Sequence, residues 1–222
     1  MKRIFVCLAL VGTVVAARAD FVIQQKVVGT LQNGVITLKI KGNKIRQDMP
    51  SNRLGDISTI QDIFTGDTIT MIHEKQLARK ETGAQYRERM GKLNATMTNA
   101  VIPKPVDTGK VEKVGNYDAE IYTWTNNRDM SGTLWIAKNY PNAEKIKSEF
   151  ARLNQSPVRQ LSKAITPDST VLPGVVVKSD VKSPTDETTT TFLLAKEQPV
   201  DAKEFEVPAD YHLVTPEETS GH

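Results

Sequence analysis

The feature that most constrains this fold is a succession of short β-forming runs separated by tight-turn residues. Asn33-Gly34 is a strong hairpin signal because both residues tolerate a positive φ. The run after it alternates apolar and polar side chains, as in a strand with one buried face. Gly42-Asn43 and Thr65-Gly66-Asp67 are further turns. The predicted strands are Phe21 to Val28, Val35 to Lys41, Ile45 to Met49, Ile57 to Phe64, Thr68 to His73, Gln76 to Lys80, Lys110 to Val114, Tyr117 to Thr125, Ser131 to Ala137, Val175 to Val181 and Glu187 to Ala195.

Three segments instead repeat their apolar residues at helical spacing, which predicts amphipathic helices. Pro103 ends the first segment, and Pro167 ends the third. The third begins at Ser156-Pro157, a favourable pair for the N-cap and first helical positions. The apolar stripes are Tyr86, Met90, Leu93 and Met97 in the first helix, Ile146, Phe150 and Leu153 in the second, and Val158, Leu161 and Ile165 in the third.

Together these elements predict a mainly β protein of the α+β class. Short connections favour antiparallel pairing, and a sheet of about 11 strands has to curl or close. The helices need an apolar surface to cover. We therefore expect one strongly curved antiparallel sheet of about 11 strands, a half-barrel, with about three helices across its concave face. Residues 20–214 are expected to form this single domain, followed by a flexible polar tail at 215–222.

The first 19 residues have the pattern of a secretory signal peptide. Lys2 and Arg3 precede an apolar run, which is too short to span a bilayer comfortably. Ala17-Arg18-Ala19 presents small residues at the two positions that signal peptidases read, so cleavage is expected between Ala19 and Asp20. We therefore predict a periplasmic or secreted protein that is not an integral membrane protein.

Removal of this leader changes the charge balance. The chain has 29 Lys and Arg and 26 Asp and Glu, and the leader holds three of the bases and no acid. The mature chain therefore has 26 residues of each sign, and nucleic-acid binding, which needs a basic surface, is not expected. Cys7, the only cysteine, also lies in the leader, so the mature chain has no disulfide and no thiol chemistry.

Several motifs of the mature chain carry a family resemblance. They are Gly42 to Met49, Thr65-Gly66-Asp67, Gly115 to Tyr122, Leu134 to Ala137 and Phe205 to Tyr211. In these motifs the chain resembles the bacterial domain of unknown function family number 4412. That family is similar in architecture to the periplasmic lipoprotein-carrier (Lol-type) half-barrel, in which helices cover an apolar cavity. The resemblance implies the same fold and, by analogy, a role in shielding acyl chains.

Motifs that would carry catalysis or bind a metal fail on inspection. His73-Glu74 begins like a zinc-protease motif, but Leu77 stands where the second histidine is needed. Ser179 and Lys182 have the spacing of a serine–lysine pair, but in a strand they point to opposite faces. We therefore expect no catalytic residue, no metal site and no cofactor, and predict that the protein is not an enzyme.

The helical stripes and one aromatic hairpin are the candidate binding surfaces. Methionines and other apolar residues on a helix fill a core, or they line a cavity for varied apolar ligands. An even-length turn after Thr125 would put the aromatic side chains of the hairpin on one face, which either the rest of the chain covers or a partner binds. The candidate cavity residues are Tyr86, Met90, Leu93, Met97, Ile146, Phe150 and Leu153, and the candidate partner patch is Tyr122, Trp124 and Trp135.

These features favour two functions over a third, an unrecognised hydrolase. The first is a non-enzymatic binding protein that holds a lipid, or the acyl chains of a lipoprotein, between the curved sheet and a helical lid. The second is an envelope-protein interaction or sensor module with a filled core and no ligand. An apolar cavity of ~300 Å³ or more would favour the first function.

The signal-peptide interpretation predicts that the exported protein begins at Asp20. N-terminal sequencing of protein recovered from the exporting cell measures this directly. A start at another residue, or a lipid attached to Cys7, would contradict the assignment of the leader.

Overall fold

A computed structural model describes residues 19–30, 32–50, 55–95, 103–154 and 166–215, with the side chains of residues 90 and 92–95 excepted. Twelve strands and two α-helices form within these ranges, together with short 3-10 turns. In chain order the elements are β1 (Phe21–Val28), β2 (Asn33–Lys41), β3 (Lys44–Met49), β4 (Ile57–Asp62), β5 (Thr68–Ile72), β6 (Leu77–Glu81), α1 (Gly83–Ala95), β7 (Val106–Val114), β8 (Tyr117–Thr125), β9 (Ser131–Ala137), α2 (Ala143–Leu153), β10 (Val175–Lys182), β11 (Glu187–Glu197) and β12 (His212–Val214).

All twelve strands belong to one curved, unclosed sheet. Its order is β12-β6-β5-β4-β3-β2-β1-β11-β10-β9-β8-β7. Strand β1 lies between β2 and β11 and so connects the two series of hairpins. Every pair is antiparallel except β12 with β6, which is parallel. The predicted fold class and the eleven predicted strands are confirmed. The twelfth strand has only three residues, too few for a recognisable alternation.

The first two predicted helices are present. The N-terminus of α1 carries a capping box: the Gln85 N–H donates to the Thr82 hydroxyl at 3.3 Å, and the Thr82 N–H donates to Gln85 Oε1 at 2.8 Å. The third predicted helix, beginning at Ser156-Pro157, lies outside the described residues. In the described part of the chain, no helix is both long and apolar enough to cross a membrane.

One face of the sheet, here called the helix face, packs against α2. Ile146 and Leu153 of α2 are almost completely buried. Because α2 is amphipathic, it covers apolar side chains from both halves of the sheet. Buried Glu149 pairs with Arg152 on the same helix at 2.8 Å. The resulting core cluster contains Ile146, Leu153, Phe21, Ile23, Leu38, Ile40, Ile45, Ile63, Val175 and Phe192.

On the opposite face, residues 198–211, here called the C-terminal strap, cover the half of the sheet that runs from β1 to β6. Val22 lies in β1 between two residues of the core cluster, so its side chain points to this opposite face. Val200 and Phe205 pack beside it there. Asp20, at the predicted cleavage site, fixes the start of the strap: its Oδ2 accepts from the Val200 N–H at 2.9 Å and from Lys41 Nζ at 2.7 Å. The strap therefore buries a face for which no cover was predicted.

The core on the helix face predicts a large cost for truncation of Ile40, which is 1% exposed. We expect Ile40→Ala to lower the free energy of unfolding by about 3 kcal/mol, because it removes buried methyl groups and leaves a cavity. Val35→Ala, in the same strand at 45% exposure, should change it by less than about 0.5 kcal/mol. Urea titrations measure both values, and equal losses would contradict the packing described.

Candidate functional site

A cavity lies between α2 and the sheet on the helix face. Its volume is about 230 Å³. Strands β8 to β11 supply the floor, α2 supplies one wall, and the segment from Thr166 to Gly174 supplies another. The apolar side chains that line it are Trp124, Leu134, Ile146, Phe150, Pro167, Leu172, Val175, Val176, Val181 and Phe192.

The floor depends on a glycine opposite Trp124. Gly132 pairs with Trp124 across β8 and β9. A Cβ at Gly132 would lie 2.6 Å from Trp124 Nε1 and 2.7 Å from the Asp180 carbonyl oxygen, so a larger residue would displace the indole. Trp124 is 2% exposed, and its Nε1 has no hydrogen-bond partner in the described part of the chain. The glycine thus lets the large ring lie flat against the sheet.

The strand pairing separates the two tryptophans. Leu134 pairs with Tyr122, whereas Trp135 pairs with Ile121 on the opposite face. The prediction that Tyr122, Trp124 and Trp135 share a face is wrong, because five residues, an odd number, join β8 to β9.

Both indoles are covered by the chain itself. Trp135 is 8% exposed, its Nε1 donates to Glu112 Oε2 at 2.8 Å, and Lys178 Nζ lies 4.1 Å from the ring centroid. Half-buried Tyr122 donates its hydroxyl to Glu120 Oε2 at 3.2 Å. Neither tryptophan is therefore exposed as the candidate partner patch would require.

The predicted cavity residues have different positions. Ile146 and Phe150 line the cavity, whereas Leu153 is buried in the core cluster. Tyr86 is buried at the start of α1, with the Arg89 guanidinium 4.9 Å from its ring centroid, and is not among the cavity residues. Met97 and the side chains of Met90 and Leu93 lie outside the described residues.

The floor residues lie on strands, and a prediction that rests on the apolar stripes of helices does not include them. Leu134 and Phe192 alternate with polar neighbours in their strands, which indicated a buried face but not a void beneath α2. Which buried face keeps a cavity depends on how the helix sits above it. The strand pattern does not encode that position.

The cavity has polar groups among its lining residues. Ser179 and Thr190 are paired across β10 and β11, and Gln25 comes from β1. Asn154 Nδ2 donates to Asp168 Oδ1 at 3.2 Å, which ties the end of α2 to the segment that carries Leu172. Lys147 is the only charged side chain among the described residues that line the cavity.

A second, more open cleft of about 450 Å³ lies on the opposite face and contains a serine next to a histidine. Ser58 Oγ is 2.6 Å from His73 Nε2, and His73 Nδ1 is 2.5 Å from the Tyr211 hydroxyl of the strap. Ser58 also lies 2.6 Å from Asp48 Oδ1, and Arg46 Nη2 donates to its oxygen at 3.1 Å. In outline this resembles a nucleophile with a neighbouring base.

The directions of the hydrogen bonds around Ser58 leave its hydroxyl without a base to take its proton. Burial, the largest single influence, acts to raise the pKa of the Asp48 carboxyl, but hydrogen bonds from Ser58 and Arg46 and the charges of Arg46 and Lys39 together lower it. An ionised Asp48 can only accept, so the single hydroxyl proton of Ser58 goes to Asp48. His73 Nε2 must then donate to Ser58, and cannot act as its base.

This polar cluster instead holds the strap on the sheet. Arg46 Nη1 donates to the Glu204 carbonyl oxygen at 2.7 Å, and Lys39 Nζ bonds Glu204 Oε2 at 2.8 Å. Tyr211 adds the contact to His73. Because these groups are partly buried and mutually paired, the cluster is a structural junction between the sheet and the strap.

Comparison with known families gives one match over most of the chain. The model of a domain of unknown function (DUF4412) matches residues 22–211. No curated protein matches the chain.

The chain is similar to several solved structures at very low sequence identity. An uncharacterised conserved protein from Thermus thermophilus has a TM-score of 0.52 and 6% identity, covering 89% of this chain and 90% of that one. The Mycobacterium tuberculosis lipoprotein LppX has a TM-score of 0.42 and 7% identity over 82% and 88%. A LolA superfamily protein from Nitrosomonas europaea has a TM-score of 0.32 and 9% identity over 85% and 90%. The first similarity supports the fold alone.

The Asp48 junction predicts acid sensitivity. A carboxyl whose pKa is lowered on folding stabilises the protein above its unfolded pKa of about 3.9, and this contribution disappears as the pH falls through the folded pKa. We expect Asp48→Asn to lower the free energy of unfolding at pH 7 by about 1–2 kcal/mol. Below about pH 4 the parent and the variant should become more similar in stability. Urea titrations across pH measure it. Exposed Asp118→Asn is the control, and a difference that grows in acid would contradict the assignment.

Proposed function

The chain belongs to the DUF4412 family, and we propose that it is a non-enzymatic, exported binding protein that holds an apolar ligand between the sheet and α2. The observation that carries the proposal is the cavity of about 230 Å³ beneath an amphipathic helix, floored by Trp124, Leu134 and Phe192. The ligand is an acyl chain, either of a lipid or of a lipoprotein. The leader described above would deliver the protein to the compartment where such ligands move between membranes.

Binding is driven by removal of the ligand's acyl chain from water. Each methylene that enters the cavity contributes ~0.8 kcal/mol. A cavity of about 230 Å³ exceeds the ~150 Å³ of an apolar cavity that takes up benzene. It is smaller than the ~300 Å³ stated above for a carrier, which is the lower end for sites of drug-sized ligands. The size therefore favours one acyl chain, or part of one, over several chains bound side by side.

The chemistry of the lining supports binding over catalysis. The described residues that line the cavity include no histidine and no carboxylate, and Lys147 is their only titratable group. General acid–base or nucleophilic catalysis needs at least one group that is matched to a partner. Hydroxyls, amides and apolar side chains are suited to hold a ligand and to fix its orientation.

The alternative is an interaction module of the cell envelope, and one observation favours it. Among the described strands, β7 is the last on its side of the sheet, and its Val106 and Val111 are 63% and 61% exposed. An exposed edge strand can pair with an extended segment of another protein. Ligand uptake by the purified protein distinguishes the two functions, because edge pairing requires no cavity.

Phe150 and Leu153 provide a test on one helix. Phe150 is half-buried and lines the cavity, so Phe150→Asp should weaken uptake of a fluorescent fatty acid by about tenfold or more and lower the melting temperature only slightly. Leu153 is 0% exposed in the core, so Leu153→Asp should cost several kcal/mol and unfold the protein.

Uptake and thermal melts of the parent and both variants decide between the functions. Absence of uptake by the parent, with similar loss of stability in both variants, would overturn the carrier proposal and favour the interaction module.

A further inference from the structure

The geometry points to a ligand of defined chemistry: a single-chain amphiphile whose anionic head group is bound by Lys147. This inference rests on the proposed function, since it assigns the head group of the molecule whose chain enters the cavity. An alkyl carboxylate is the simplest member of the class.

The first observation is the position of Lys147 on α2. It follows Ile146, which is buried in the core, and lies one helical turn before Phe150 on the cavity wall. Its side chain is only 22% exposed, so the apolar stem packs along the cavity while the ammonium group stays near solvent. A cation beside an apolar cavity is complementary to an anionic head group on an apolar chain.

The second observation is the weakness of the ion pair that Lys147 makes. Its Nζ lies 3.5 Å from Glu144 Oε1, and the Glu144 side chain is 89% exposed. Ion pairs with such exposed partners contribute little because water competes for both charges. A ligand carboxylate, partly shielded by the cavity wall, would be the better partner for the ammonium group.

Neighbouring lysines do not have this combination of features. Lys145 is paired with Glu197 on the sheet and does not line the cavity. Lys178 lies over Trp135 on the opposite face and pairs with Asp180. Since the described lining residues include no acid, nothing in that lining would repel an anionic head group.

The cavity volume sets the length of chain that can be buried. Affinity should rise about fourfold for each added methylene while the chain still fits. It should stop rising once the cavity is full, because further methylenes remain in water. We therefore expect the cavity to hold a single alkyl chain up to a limiting length. An extended apolar surface would instead accept chains of any length.

Titration calorimetry with the full mature chain at pH 7 tests the inference. The probes are n-alkyl carboxylates of increasing length, the n-alkanols of matched length and the matching alkyltrimethylammonium ions. We expect carboxylates to bind at least about tenfold more tightly than alkanols, since a hydrogen bond between an ammonium group and a carboxylate is stronger than one to a neutral hydroxyl. Trimethylammonium ions should bind more weakly than alkanols.

Lys147→Met is the informative variant, because it keeps the length of the stem and removes the charge. It should reduce carboxylate affinity to that of the alkanols and leave alkanol affinity unchanged. Lys145→Met, on the same helix, should leave every affinity unchanged. Lys147→Arg, which keeps the charge, should retain the preference for carboxylates and provides a second folded variant should Lys147→Met be destabilised.

The outcomes separate this inference from the proposed function. Equal affinity of the parent for carboxylates and alkanols, or equal loss of both probes in Lys147→Met, would overturn the head-group assignment while the carrier proposal stands. Failure of every probe to bind the parent would overturn the proposed function itself.

Discussion

The pairing of β1 with β2 on one side and β11 on the other is the interaction on which the rest of the structure depends. In the described part of the chain, β1 is the one strand that joins the series from β2 to β12 with the series from β11 to β7. Its side chains are buried on both faces: Phe21 and Ile23 in the core beneath α2, and Val22 beneath the strap. A strand with two buried faces cannot slip by one residue without exchanging its two cores, so β1 sets the register of both halves.

The two faces of this sheet are covered by different means. The strap packs Val200 and Phe205 on the sheet and is also fixed by charged and polar groups. Asp20, Arg46 and Asp48 each make several hydrogen bonds, and most of these bonds are partly buried. Helix α2 is held chiefly by apolar contacts, with Arg152 Nη1 bonded to the Gly42 carbonyl oxygen at its end. Separation of the strap would leave paired charges without partners at partly buried positions, which is costly. Movement of α2 would expose apolar surface that an acyl chain can cover. The proposed function therefore requires only a local adjustment of α2 at Phe150, with Ile146 and Leu153 kept in the core.

Local chemistry made much of this fold predictable. The alternation after Gly34 identified β2 without reference to the rest of the chain. The predicted turn at Asn33-Gly34 is wrong: both residues belong to β2 and pair with Val28 and Val27, so the chain reverses between Val28 and Asn33. The stripe of α2 identified Ile146 and Phe150 because period and face are set within one helix. Features that depend on distant residues were not predictable. The strap is held by contacts more than a hundred residues apart, such as Tyr211 with His73. The face of the sheet on which Trp135 lies depends on whether the number of residues between β8 and β9 is odd or even. One residue more or less would move Trp135 to the other face.

The floor of the cavity shows where packing alone does not explain the structure. Trp124 buries its indole N–H without a partner in the described part of the chain, and an unsatisfied buried donor costs about 1–3 kcal/mol. Gly132 adds a backbone position with greater freedom in the unfolded state, which also disfavours folding. The proposed function accounts for these costs, because a large ring held flat over a glycine shapes the floor of the cavity of about 230 Å³.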